Sequence, residues 1–216
     1  MGREKALLEL GGKPLVAHAV EKLRRFCSDV FILTASQALS DFAPTVPDQH
    51  LGCGPMGGME AALSHSQHDW NLILPVDVPF LPTVLIETWA ATALNDGQAT
   101  GTRIAMFEVD GLPQPALLML HRDVAPYLTA SLERGEFKVG PTLHYAAADL
   151  AAMRGLEPDV VLRRWQLGSK DDLPATGAVW GALTEAQKRS RNLWFANLNT
   201  PEEFENARAN LDALDG

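Results

Sequence analysis

A carboxylate at the end of an apolar run is the clearest chemical feature of this sequence. Asn71-Leu72-Ile73-Leu74-Pro75-Val76 reads as a strand, and Asp77 closes it. An acid in that place is expensive without a partner, and a hard cation such as Mg²⁺ would supply one. The alternative is an aspartate capping the turn made by the Pro79 and Pro82 breakers. Lys5 stands in Arg3-Glu4-Lys5, ahead of Ala6-Leu7-Leu8-Glu9-Leu10, and Lys13 follows a Gly-Gly turn. A lysine so placed is either a local cation for an anionic ligand or a solvated surface charge. The run Gly54-Pro55-Met56-Gly57-Gly58 lets backbone approach a ligand closely, or makes a plain tight turn.

His65 and His68, three residues apart, could ligate a metal, though histidines also suit a helix end in solvent. His18, His50, His121 and His144 are scattered without a Ser or Cys partner signature. The sequence has no nucleophile elbow, Walker lysine loop or H-E-x-x-H, so hydrolase, P-loop and metalloprotease chemistry lack a positive feature.

The elements that must carry these residues follow from periodicity. Leu15, Ala19, Leu23 and Phe26 form one stripe with Val16 and Val20 beside it, predicting an amphipathic helix over 14–26 with Glu21, Lys22, Arg24 and Arg25 opposite. The short apolar run 30–33 predicts a strand buried on both faces, and a helix feeding such a strand suggests a parallel sheet. Residues 42–58 read as a long loop, 59–63 as the start of a short helix and 71–77 as a second buried strand. Helix is expected over 84–94, strand over 104–107 and 116–120, and helix over 123–134 ended by Gly135. In 136–190, Gly, Pro and charge break nearly every pattern, predicting irregular structure with one or two short helices. Residues 193–196 are strand-like, and Thr200-Pro201-Glu202-Glu203 opens a last helix running toward Leu214. Repeated alternation gives the α/β class, in which ligands lie beyond the carboxyl ends of strands, the place of Asp77.

The chain has 216 residues, 46% apolar and 21% charged, enough for one sizeable core. A net charge of −9 argues against nucleic acid or anionic lipid as the main partner, so polyphosphate ligands would depend on local cations, backbone N–H groups or a metal. Two cysteines, Cys27 and Cys53, lack zinc spacing and fit a reducing compartment. With no leader-like start and no spanning apolar run, the expected location is the cytoplasm.

Taken together, the runs Met1 to Leu15, Gly54 to Met59, Pro75-Val76-Asp77-Val78-Pro79-Phe80-Leu81, Gln114-Pro115 and Asn197-Leu198-Asn199-Thr200-Pro201-Glu202-Glu203 resemble the molybdenum cofactor guanylyltransferases in content and order. The resemblance implies a single nucleotidyltransferase domain over 1–216, a three-layer, Rossmann-like nucleotide-binding sandwich with a mostly parallel sheet, and 139–190 as an insertion atypical of the family. It also implies transfer of GMP from Mg·GTP to the terminal phosphate of molybdopterin, with Mg²⁺ as cofactor and GTP and molybdopterin as substrates. Molybdoenzyme chaperones or other cofactor-synthesis proteins are further partners. Carried over, Asp77 holds the metal, Lys5 meets phosphate oxygens, and Asp48 holds the nucleotide. Thr34 adds a nucleotide contact where the family carries Asn. Gly58, Pro79, Asn197 and Asn199 border the molybdopterin side. The implied reaction is in-line attack on the α-phosphorus without a covalent enzyme intermediate.

Two alternatives stay open: a molybdopterin cytidylyltransferase, and a noncatalytic relative that binds molybdopterin or acts as a chaperone. Family members begin with an apolar strand running into a Leu-Ala-Gly-Gly-x-Ser-x-Arg-Met-Gly loop, whereas this sequence opens at the Met-Gly. The expectation is therefore an open slot in the core, with strands near Phe31 and Ile73 lacking a neighbour.

Overall fold

The apolar stripe beginning at Leu15 does wind into a helix, and most of the expected elements follow it. The computed structural model describes residues 4–167 and 177–215. Met1, Gly2 and Arg3, which open the first matching run, and 168–176, within the expected insertion, lie outside the described residues. In chain order come β1 (Glu9–Leu10), β2 (Lys13–Pro14), α1 (Leu15–Arg24), β3 (Ile32–Leu33), β4 (Thr45–Val46), α2 (Pro55–His65), β5 (Trp70–Ile73), α3 (Thr83–Ala99) and β6 (Ile104–Val109). There follow β7 (Leu112–His121), α4 (Ala125–Glu133), α5 (Val139–Arg154), α6 (Pro158–Val161), β8 (Leu162–Leu167), α7 (Gly177–Ala182), α8 (Glu185–Arg189) and α9 (Pro201–Arg208).

The main sheet has the order β5-β7-β6-β8. Alternation along its strands divides the core into two layers, because successive side chains point to opposite faces. Ile104, Met106, Leu118 and Leu120 pack with Met56, Met59, Leu128, Leu143 and Leu150 from α2, α4 and α5. Ala105, Phe107, Leu117 and Met119 pack on the other face with Leu85, Ile86 and Trp89 of α3, Val179 of α7 and Trp194. Helices therefore cover both faces, and the three-layer α/β sandwich stands. The pairing corrects one detail. β3–β4 and β6–β8 are parallel, but β5–β7 and β6–β7 are antiparallel, so the sheet is mixed rather than mostly parallel. The cause is a hairpin between β6 and β7, turned by Asp110 and Gly111, both at positive φ.

Other expectations are also corrected. The described residues of 136–190 are not irregular: α5 is sixteen residues long, closed by Gly155 in the left-handed conformation, and β8 pairs along all of β6. The loop expected over 42–58 contains β4 and gives way to α2 at Pro55, so Gly57 and Gly58 lie within the helix. Residues 193–196 form no strand. A 3-10 turn, Arg191–Leu193, instead buries Trp194, whose indole donates to the Gln187 carbonyl at 3.0 Å. Lys22, expected on the solvent face, is 4% exposed. It donates to the Leu81 carbonyl at 3.0 Å and to the Asp215 carboxylate.

The remaining parallel pair, β3–β4, forms a separate sheet. Ile32 N–H donates to Pro44 and Thr34 N–H to Val46, at 2.9 and 2.8 Å, so the polar groups of Phe31 and Leu33 point the other way. On β5, Arg122 N–H donates to the Asp69 carbonyl at 2.7 Å, and antiparallel alternation then aims Asn71 and Ile73 at β7 and Leu72 and Leu74 away from it. Between these two outer edges lies a groove of about 630 Å³, lined among others by Val16, Val20, Leu33, Leu72, Leu74 and Met119. The expected slot is there, and β3 is only half-buried because of it.

Candidate active site

Lys5, Asp77 and Asn199 are brought together from three distant parts of the chain. Lys5 opens a 3-10 turn, Lys5–Leu7, and its Nζ lies 2.6 Å from Asp77 Oδ2. The same ammonium donates to the Asn199 side-chain oxygen. Asp77 lies in the turn beyond β5 rather than within the strand, and its carbonyl accepts from Leu198 N–H at 2.9 Å. That bond carries the Asn197-Leu198-Asn199 segment to the Asp77 turn, with Leu198 buried and both asparagines exposed. Pro79 is buried two residues beyond Asp77.

The last run is held by a capping box. Thr200 Oγ1 accepts from Glu203 N–H at 3.2 Å, while Glu203 Oε2 accepts from Asn199 and Thr200 N–H at 2.6 and 2.7 Å. These two backbone bonds hold the Glu203 carboxyl below its usual range. Glu203 thereby fixes the backbone of the residue that meets Lys5.

A second group gathers at the carboxyl ends of β3 and β4. Thr34 follows β3, and its hydroxyl accepts from Ser36 N–H at 3.1 Å. Asp48 follows β4 and packs on the first turn of α2. A Cβ at Gly57 would stand 2.9 Å from the His50 carbonyl and 3.1 Å from Asp48 Oδ2, so only glycine permits this approach. At Gly58, whose own hypothetical Cβ would touch Leu33 and Asp48 at 3.6 and 3.7 Å, the fit is ordinary contact. Burial pushes the Asp48 carboxyl up, and the negative charge of Glu60 adds to that. The two groups are joined where Ser36 Oγ donates to Glu4 Oε2 at 2.8 Å, next to Lys5.

Of the predicted residues, the structure thus joins Lys5, Asp77 and Asn199 in one contact and Asp48 and Gly58 in another. His65 and His68 do not converge: His65 stacks edge-on with Phe31, and His68 pairs with Asp29 at 2.6 Å. No cluster of three or more His, Cys, Asp or Glu suited to a metal occurs among the described residues. Glu4, Ser36, His50, Glu60 and Glu203 were not singled out from sequence for this site. For Glu203 the Thr-Pro-Glu-Glu cap was a visible signal, whereas the others depend on contacts across the fold.

Arranged this way, one cation, one carboxylate and one amide meet beyond the strand ends, linked through Glu4 and Ser36 to the group that carries the glycine-permitted approach to helix α2. That combination suits binding and orienting a phosphorylated ligand, and it contains no nucleophile held by a base.

Known proteins are similar to this chain in sequence and in fold. The model of the MobA-like NTP transferase domain family matches residues 1–152. A molybdenum cofactor guanylyltransferase of Vibrio parahaemolyticus is 34% identical over 141 residues, covering 64% of this chain and 70% of that one. Its counterpart in a Shewanella species is 32% identical over 143 residues, with the same coverage. Among solved structures, molybdopterin-guanine dinucleotide biosynthesis protein A from Archaeoglobus fulgidus superposes with a TM-score of 0.63 at 22% identity, over 96% of this chain and 90% of that one. A 2-C-methyl-D-erythritol 4-phosphate cytidylyltransferase from Thermus thermophilus gives 0.55 at 15% identity, over 96% and 93%. These two share the fold. With the family model covering more than half its length, the chain belongs to the MobA-like NTP transferase domain family.

Proposed function

We propose that this nucleotidyltransferase moves GMP from Mg·GTP to the terminal phosphate of molybdopterin, releasing pyrophosphate. The meeting of Lys5, Asp77 and Asn199 beyond the end of β5 carries the reading, because it places a part-exposed cation beside a carboxylate where an anionic ligand would lie. The relatives named as guanylyltransferases support guanine as the base.

Asp77 is the proposed metal ligand. A single carboxylate fits Mg²⁺, which keeps waters and takes substrate phosphate oxygens as its other ligands. Bound there, the ion would offset charge on the α-phosphate. Lys5, released from Asp77, would donate to phosphate oxygens as charge grows on them. Because the whole chain is acidic, this short-range cation decides whether a polyphosphate can stay.

Asp48 is the proposed nucleotide-side acceptor, with Thr34 as a further contact at the end of β3. Gly58, Pro79, Asn197 and Asn199 are proposed to border molybdopterin, with Asn199 also steering Lys5. The location proposed is the cytoplasm, supported by two free cysteines and by the absence, among the described residues, of a helix long and apolar enough to cross a membrane. Chaperones of molybdoenzymes are proposed recipients on resemblance alone.

Titration of the protein with GTP and with CTP in Mg²⁺ tests the base. Tighter GTP binding is expected, and equal or tighter CTP binding would put the cytidylyl reading ahead.

A further inference from the structure

Glu60 is a buried charge that the proposed transfer does not use. It lies on α2, one turn beyond Gly57, and is 3% exposed. One carboxylate oxygen, Oε1, accepts from Thr129 of α4 at 3.2 Å. The other, Oε2, has no hydrogen-bond partner among the described residues, and faces His50 Nδ1, equally unpartnered, at 3.5 Å. A buried carboxylate left with half its bonding capacity is unfavourable unless a donor is brought to it. His50 is the group in place to be that donor.

His50 belongs to the loop between β4 and α2 that also carries Asp48. Its carbonyl and the Asp48 carboxylate both pack on the Gly57 position. The contacts therefore run from α4 through Thr129, Glu60 and His50 to the loop that presents Asp48. We propose that Glu60 is a positioning residue for the nucleotide: through His50 it draws the 47–54 loop onto α2 and so sets where Asp48 lies. This rests on the reading of Asp48 as a nucleotide ligand. Among the described residues, the charged group that acts on Asp48 is Glu60 of α2; the His50 side chain of the same loop faces Glu60, and Leu33 of β3 lies with Asp48 against the Gly58 position.

Glu60 acts on Asp48 in a second way. Its charge adds to burial in holding the Asp48 carboxyl above the usual range. Affinity that needs ionised Asp48 is present above that raised value and is lost as pH falls through it. Glu60→Gln keeps the shape and the Thr129 bond but removes the charge, so the acid limb of GTP affinity should move to lower pH.

The test is GTP affinity in Mg²⁺ from pH 4.5 to 8 (roughly the span of carboxylate and imidazole titration) for the full chain, Glu60→Gln, His50→Gln and the double variant. At the upper end, each single variant should weaken binding roughly tenfold and the double variant no further, as residues acting in one contact chain do. A merely structural Glu60 would leave the acid limb in place, and that result, or additive losses, would overturn the proposal. Should Glu60→Gln fail to fold, His50→Gln on the half-exposed loop carries the affinity test alone, and wild-type affinity there overturns it. Asp48→Asn separates the two readings: unchanged affinity in that variant sinks the role of Asp48 itself, whereas lost affinity there with unmoved Glu60→Gln sinks only the positioning role.

Discussion

The two halves of this molecule are built from similar apolar strands and end in different states. In β5-β7-β6-β8 every internal strand has two neighbours, and side chains such as Phe107 and Leu118 are fully enclosed between helices. In β3–β4 the strands are two residues each, one edge opens on the groove, and Phe31 is 38% exposed although the residues around it are as hydrophobic as those of β6. Strand burial is thus a property of having neighbours on both edges and both faces, and local hydrophobicity only makes it possible.

The sharpest way to break the comparison is to truncate one aromatic in each half. Phe107→Ala removes a fully enclosed ring that stacks with Trp89 at 4.5 Å and should cost about 3–5 kcal/mol in urea unfolding. Phe31→Ala should cost about 1 kcal/mol. Equal losses would show that the groove half is as tightly organised as the other.

Asp215, from the far end of the chain, ties α1, which borders the groove, to the start of α3 in the closed half. It pairs with Lys22 and accepts from Thr83 N–H and Oγ1 at 3.1 and 2.7 Å. Burial pushes its carboxyl up, but the Lys22 charge and these bonds outweigh that and hold it below the usual range. Its folded value is depressed, so its contribution is present above the unfolded carboxyl value and is lost as pH falls through the folded one. Asp215→Asn should cost about 3 kcal/mol near neutral pH, because Lys22 stays buried and unpaired. The difference from wild type should shrink in acid, and a cost independent of pH would assign the effect to packing.

A smaller effect sharpens the contrast from the open side. Fusing a short, extended apolar segment ahead of the chain should let it lie between β3 and β5, since Glu4 and Lys5 already bridge the carboxyl ends of those strands through Ser36 and Asp77. The gain should be roughly 1–3 kcal/mol, with slower amide exchange at Leu33 and Leu72. A charged extension of equal length is the control, and the same exchange rates in both would remove the groove from the account.

The same contrast explains what the sequence disclosed. The strands around Ile104 and Leu118 were legible because apolar runs bounded by breakers coincide with full burial, and the Thr200-Pro201 start because capping is local. Asp77 was legible by its place at the end of an apolar run. Helix α5 was not, since Gly140 and Pro141 stand in its first turn and alanines on several faces erase a clear stripe. Lys22 looked solvated because its counter-charge is 193 residues away. Glu60 gave no signal at all, because its meaning depends on a loop and a helix that meet it only in the fold.

The central claim is that the carboxylate beyond β5 holds the metal-bound nucleotide. Asp77→Asn keeps the side-chain shape and removes the charge, so it isolates that claim. The measurement is GMP transfer from Mg·GTP to molybdopterin by wild type and Asp77→Asn, with thermal unfolding run alongside. The account predicts an unfolding profile close to wild type and transfer nearly abolished, whereas near-normal turnover in Asp77→Asn would make this aspartate a cap on the following turn and contradict the site.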